Sequence, residues 1–207
     1  MNSRTERFQA TGPAGAIEVL RDAPDGAPHG IAVIAHPHPL YGGTMDNKVV
    51  QTLARAFFQA GWTAIRFNFR GVGATAGAHD DGIGETDDLL ALVAAVAPGG
   101  PLALAGFSFG SFVTCRALQT LWPSRDVGKI VLVGTAASRF GVPALPADAH
   151  DRALVIHGEH DDTVPLAAVF DWARPQSLPV TVIPGGAHFF HGQLPLLKNL
   201  VVRHLRS

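Results

Sequence analysis

Leu102-Ala103-Leu104-Ala105-Gly106-Phe107-Ser108-Phe109-Gly110 runs directly into Ser111-Phe112-Val113-Thr114-Cys115-Arg116-Ala117-Leu118. The first half is a short apolar run without polar alternation, as in a strand covered on both faces. The second half has a helical pattern. Between them lies Gly-x-Ser-x-Gly, centred on Ser108. A strand that turns sharply into a helix at such a site lifts the serine hydroxyl above the sheet. The helix N-terminus then lies beneath it and favours developing negative charge. The flanking glycines let neighbouring backbone come close. A serine that merely caps a helix in a glycine-rich turn would look the same locally, so the rest of the chain has to decide.

Outward from this turn, apolar runs alternate with helical patterns. Strands are expected at Ile31–Ala35, Thr63–Phe69, Leu102–Phe107, Lys129–Thr135, Ala153–His157 and Val180–Ile183. Helices are expected at Asn47–Ala60, Gly84–Ala97, Ser108–Trp122, Pro165–Ala173 and Gln193–Leu205. Asp46 or Asn47 is suited to cap the first helix, and Gly61 to close it. Strict succession of strand and helix implies a parallel sheet with right-handed crossovers. Ligands bind such sheets beyond the carboxyl ends of the strands. The informative stretches are therefore His36–Tyr41, Arg70–Gly77, Ser108, Thr135–Arg139, Gly158–Val164 and Pro184–His188.

A serine hydroxyl becomes a nucleophile only beside a base, itself oriented by a carboxylate. On this architecture the chain order is serine, acid, histidine. Asp161 follows one strand in His-Gly-Glu-His-Asp-Asp, and His188 follows the last strand in Gly-Gly-Ala-His-Phe-Phe. Ser108 would attack a carbonyl, His188 would carry its proton, and Asp161 would hold the imidazole. Asp162 competes with Asp161, and its alternative is turn capping. His191 competes with His188 and is expected at the start of the final helix.

With these motifs in order, the chain resembles the α/β-hydrolase superfamily, and within it the small capless dienelactone-hydrolase-like serine hydrolases of bacteria. The resembling stretches are HPHPLYGGTMDNKVV, RFNFRGVGAT, GFSFG, HGEHDDTVP and GGAHFF, spread over residues 30 to 190. The resemblance implies an α/β-hydrolase fold with an eight-stranded or similar, mostly parallel sheet. It implies Ser108, Asp161 and His188 as the triad, and hydrolysis of carboxylic esters or related acyl compounds. Dienelactone hydrolases proper carry cysteine at the nucleophile turn, whereas this chain has Ser108. An oxyanion hole needs two donors. The Phe109 N–H is one. The second is expected from the loop after Ile31–Ala35, where Pro37 and Pro39 have no N–H. That leaves His38 first, then Leu40 or Tyr41.

The 207 residues fit one domain, 1–207, with a sizeable core. Sixteen Lys+Arg stand against seventeen Asp+Glu with no basic stripe, which argues against nucleic acid or an anionic membrane surface as partner. The polar N-terminus has no apolar leader, and no apolar run is long enough to span a bilayer. With one cysteine, Cys115, no intrachain disulfide is possible. A cytoplasmic protein, monomer or homodimer, is the expectation.

Three other constellations compete. His36-x-His38 and His157-x-x-His160 invite a metal, but the longer patterns of zinc sites are missing, so no metal and no cofactor is expected. Gly71-Val72-Gly73 with Gly77 lacks the dinucleotide spacing and no Lys-Ser/Thr follows. It is expected to shape a loop beside the site, with Arg70 bracing it through Glu85, Asp87 or Asp88. A non-catalytic binding protein of the same fold is the third.

Lids in this fold are usually inserted between the strands at Lys129–Thr135 and Ala153–His157. Thr135–Arg152 spans about 18 residues, long for a plain link but too short for a cap domain. The site should be open. Tyr41 and Phe189, with Phe107, Phe109, Phe140 and Phe190, are candidates to line an apolar pocket. Small or medium esters or thioesters fit such a pocket, with lactones or acyl transfer as further possibilities.

Overall fold

The computed structural model describes residues 5–207. Six strands continue one another in parallel: β3 (Ile31–Ala35), β4 (Thr63–Phe67), β5 (Leu102–Phe107), β6 (Val127–Val133), β7 (Ala153–Gly158) and β8 (Val180–Ile183). Two more strands, β1 (Glu6–Gly12) and β2 (Gly15–Asp22), complete an eight-stranded sheet in the order β1-β2-β4-β3-β5-β6-β7-β8. β2 pairs antiparallel with both β1 and β4, and the remaining pairs are parallel.

The N-terminal hairpin is a correction to the sequence reading, which treated this stretch only as polar. β1 is an edge strand, exposed or half-buried throughout, so its sequence carries little apolar signal. β2 is more apolar, but two of its inward positions hold Glu18 and Asp22. The hairpin's two-residue link, Pro13-Ala14, sits between the paired Gly12 and Gly15, and Gly15 takes φ +123°. Loop glycine there is the signal that was available.

Alternation along the buried strands sorts two cores. Val33, Leu102, Leu104, Ile130, Leu132 and Val155 face α2 (Ile83–Val96), α3 (Phe109–Leu121) and α4 (Leu166–Ala173). Ala32, Ile34, Ala64, Ala103 and Ala105 face α1 (Lys48–Gln59) and α5 (Leu194–Arg206). On that second face small strand residues meet large helix residues such as Leu53, Phe57 and Leu197, so volumes interlock. The Asn47 side chain caps α1 by accepting the Val49 N–H at 2.9 Å. Asp46 instead reaches Arg66, at 3.3 Å.

β4 stops at Phe67, two residues earlier than expected. The Asn68 N–H still donates to the Glu18 carbonyl of β2, but the Asn68 carbonyl accepts the Thr75 hydroxyl, and its side chain accepts the Met45 N–H and donates to the Glu18 carboxylate. The link from β6 to β7 contains only a short 3-10 turn at Ala147–Arg152 and no lid. No helix among the described residues is long and apolar enough to cross a membrane.

Candidate active site

Ser108 lies between β5 and α3 at φ 56°, ψ −117°. For a residue with a Cβ this conformation costs roughly 1–3 kcal/mol. The surroundings enforce it. Its N–H donates to the Val133 carbonyl at 2.8 Å, tying the turn to the neighbouring strand. The flanking glycines are required sterically. A Cβ on Gly106 would lie 2.3 Å from the Gly110 carbonyl oxygen, and one on Gly110 would lie 2.4 Å from that of Ala35. Gly110→Ala should therefore destabilise the fold by about 3 kcal/mol or more, because the obstacle is backbone of a central strand. Urea denaturation measures this, and a midpoint within error of wild type would contradict the packing argument.

His188 follows β8. Its loop is clamped to the loop after β7 by His160 N–H to the Gly186 carbonyl (2.8 Å) and Gly185 N–H to the Glu159 carboxylate (2.8 Å). Gly158 lets these loops touch, since a Cβ there would meet the Gly186 carbonyl oxygen at 2.3 Å. The His188 ring then spans two partners. Nδ1 is 2.7 Å from Asp161 Oδ2 and Nε2 is 3.1 Å from Ser108 Oγ. Asp161 is itself held, its Oδ1 accepting the N–H groups of Thr163 (3.0 Å) and Val164 (2.7 Å). Burial alone would raise the Asp161 carboxyl. The hydrogen bonds from His188 and Val164 outweigh that and keep it below its ordinary 3.8. It is thus ionised throughout the neutral range. All three residues are nearly buried.

The rivals fall away geometrically. Asp162 is exposed, and among the described residues its carboxylate accepts one hydrogen bond, from the Thr163 hydroxyl at 3.4 Å. His191 is exposed and lies ahead of α5, which starts at Leu194, so it does not begin the helix.

On the β3 side, the Tyr41 N–H donates to the His38 carbonyl and the Leu40 N–H to the His38 ring. Both alternatives to His38 are thus engaged in the local 3-10 turn. Among the described residues no hydrogen-bond acceptor takes the N–H of His38 or of Phe109. His36 anchors this loop. Its Nδ1–H donates to the Pro37 carbonyl (2.6 Å), and its Nε2 accepts the Phe69 N–H (2.9 Å). Both ring nitrogens are spent, so His36 and His38 do not form a chelating pair. His157 is fully buried while His160 is exposed, which separates the second candidate pair. Among the described residues no three His, Cys, Asp or Glu stand together as a metal site.

Burial pushes the His36 imidazole from the ordinary 6.5 down to about 4. The unfolded chain therefore binds the proton more readily than the fold. His36 contributes its full stabilisation above about pH 6.5 and loses it as pH falls toward 4, at up to about 1.4 kcal/mol per pH unit. Tm should drop across that window. A Tm flat from pH 7 to pH 4.5 would contradict it.

Arg70 braces the glycine loop by a two-pronged pair with Asp88 (both contacts 2.8 Å), Asp88 being the partner among the three acids considered. Gly84 makes room, because a Cβ there would overlap the guanidinium. Sequence reasoning missed the pair His79 and Glu85. The fully buried Glu85 carboxylate contacts His79 Nδ1 at 2.7 Å, and the His79 ring packs against His38 and Phe109.

A cleft of about 520 Å³ opens over Ser108. His38, Tyr41, Phe109, Ala136, Arg139, Phe140, Thr163 and Val164 line it with Ser108, and the Phe140 ring packs against those of His38 and Phe109. Tyr41 is where a substrate contact was expected. Phe189 is not among the lining residues; it packs edge-on against the His188 ring. Phe107 and Phe190 belong to the core beneath. Arg139 was missed as a lining residue, although it ends one of the stretches that follow a strand.

This geometry has relatives. Residues 70–170 match the family described as alpha/beta hydrolase. A lidless α/β serine hydrolase of Xanthomonas campestris is 36% identical, with a TM-score of 0.87 over 100% of this chain and 95% of that one. The chain is an α/β hydrolase. An α/β serine hydrolase homologue of Coxiella burnetii is 37% identical, with a TM-score of 0.83 over 97% of each chain. An uncharacterised protein of Rickettsia prowazekii is 31% identical, covering 86% of this chain and 79% of its own. Est1E of Butyrivibrio proteoclasticus, solved with ferulic acid bound, shares the fold at 15% identity and a TM-score of 0.81 over 96% of this chain and 98% of that one. The α/β-hydrolase framework is thus common to this chain and these solved structures, and the Xanthomonas protein, like this chain, is without a lid.

Proposed function

We propose that this α/β hydrolase cleaves small or medium carboxylic esters or thioesters through an acyl-enzyme on Ser108. The observation that carries this is the His188 ring, 3.1 Å from Ser108 Oγ on one side and 2.7 Å from Asp161 on the other. Proton transfer needs hydrogen-bond reach of this kind.

Ser108 Oγ attacks the carbonyl carbon as its proton passes to His188 Nε2. Asp161 keeps the other ring proton on Nδ1 and stabilises the imidazolium. The oxyanion of the tetrahedral intermediate accepts the N–H groups of Phe109 and His38. Collapse breaks the bond to the alcohol or thiol, which takes the proton from His188. Water, losing a proton to His188, then attacks the acyl carbon; collapse breaks the bond to Ser108 Oγ, which takes that proton back from His188, and the carboxylic acid leaves. The open cleft above Ser108 admits a substrate without a lid having to move, and Tyr41 borders the entering acyl group. No cofactor takes part. Residues 1–207 act as one catalytic domain, and the lone cysteine, buried Cys115, suits a cytoplasmic setting.

The test is labelling by a fluorophosphonate, with the modified peptide mapped, beside a panel of aryl esters of graded chain length and matching thioesters. Labelling at Ser108 and turnover unaffected by chelator are expected. A folded protein that neither labels nor turns over any of these compounds would overturn the reading in favour of a binding protein of the same fold.

A further inference from the structure

Of the nine residues lining the cleft over Ser108, none is Asp or Glu, and one, Arg139, is a fixed cation. Arg139 sits in the segment after β6, exposed to the cleft mouth. Among the described residues no carboxylate pairs with it and no hydrogen bond holds its guanidinium. Other exposed arginines vary: Arg7, Arg21 and Arg174 each pair with an acid, Arg55 bonds the Gln51 amide, and Arg203 and Arg206 form no salt bridge among the described residues. What sets Arg139 apart from the last two is that it lines the cleft over Ser108. The same lining includes apolar Ala136, Phe140 and Val164. An unpaired guanidinium in a cleft with apolar surface and a nucleophile is suited to an anion on the substrate.

We infer that Arg139 determines specificity, selecting esters that bear a carboxylate remote from the scissile carbonyl. This rests on the ester-hydrolase reading above. The charge count favours a carboxylate over a phosphate monoester. The cleft offers one formal positive charge, which a monoanion neutralises and a dianion would leave in excess. The planar fork of Arg139 also matches the two oxygens of a carboxylate. The apolar lining packs the short chain between the two groups, and a volume of about 520 Å³ holds such a molecule.

The experiment compares kcat/KM for the 4-nitrophenyl monoester of glutaric acid with that for neutral 4-nitrophenyl pentanoate. A second pair places the carboxylate on the leaving group instead, as 4-carboxyphenyl against phenyl pentanoate. Wild type should prefer the anionic member of at least one pair by about tenfold or more, as for a charge-assisted hydrogen bond. The preference should shrink as salt rises from 20 mM to 500 mM, where screening sets in over a few ångströms. In Arg139→Gln the ratio should collapse toward one. Arg139→Lys should keep part of it, and Arg139→Glu should invert it. Both rates in a ratio come from one preparation, so partial misfolding cancels. Neutral-ester turnover without any charge preference, or a preference that survives Arg139→Gln, overturns the inference while leaving the hydrolase reading intact. Absence of all ester turnover in wild type overturns that reading first.

Discussion

Ser108→Gly is expected to abolish ester turnover and at the same time raise stability. The loss of activity is the larger effect. Without the hydroxyl no acyl-enzyme forms, and kcat/KM should fall by about 10⁴-fold or more, as when one member of an interdependent set is removed. Ser108→Ala should lose as much. The two variants part on stability. Ser108 stands at φ 56°, ψ −117°, where any Cβ is strained. Alanine keeps that strain, whereas glycine releases roughly 1–3 kcal/mol of it against a cost of about 0.5–1 kcal/mol in unfolded-chain entropy. A net gain of about 1 kcal/mol would lift Tm by roughly 2–4 °C in a domain of this size. Scanning calorimetry of the three proteins decides it. Equal Tm values for the alanine and glycine variants would mean the turn is not strained, and residual glycine-variant turnover near wild type would remove Ser108 from the reaction.

Asp161→Asn should cost about 10⁴-fold in kcat with little change in KM. The argument is one of proton placement. Oδ1 of Asp161 accepts two backbone N–H groups, from Thr163 and Val164. An asparagine must keep its oxygen there, which turns its NH₂ toward His188 Nδ1. The ring then accepts at Nδ1 and carries its proton on Nε2, facing Ser108. In that tautomer Nε2 cannot take the serine proton. Asp162→Asn, at an exposed neighbour that does not reach His188, should change kcat by less than twofold. If both variants behaved alike, the assignment of the acid to Asp161 would fail.

The parallel strands and the order of the candidate site residues along the chain were legible because each rests on local chemistry. Leu102–Phe107 and Val180–Ile183 are apolar runs bounded by turn residues, and both came out with the expected limits. Ser108, Asp161 and His188 each follow a strand, so a parallel sheet had to deliver them to one edge. The N-terminal hairpin was not legible, since its edge strand buries little and its inner strand hides two carboxylates. Arg139 and Phe189 show the limit from the other side. Both are large residues just after strands, with nothing local to distinguish them. One lines the cleft and the other packs edge-on against the His188 and Phe107 rings.

At the turn around Ser108, the sequence by itself determined that a strand meets a helix with glycine on either side, because apolar periodicity and the steric freedom of glycine are properties of short segments. Only the tertiary structure decided which acid of Asp161-Asp162 meets the imidazole, which N–H groups after β3 stay uncommitted, and which exposed arginine borders the cleft. Those outcomes depend on contacts between loops far apart in the chain, where a rotation of one residue exchanges a buried carboxylate for an exposed one.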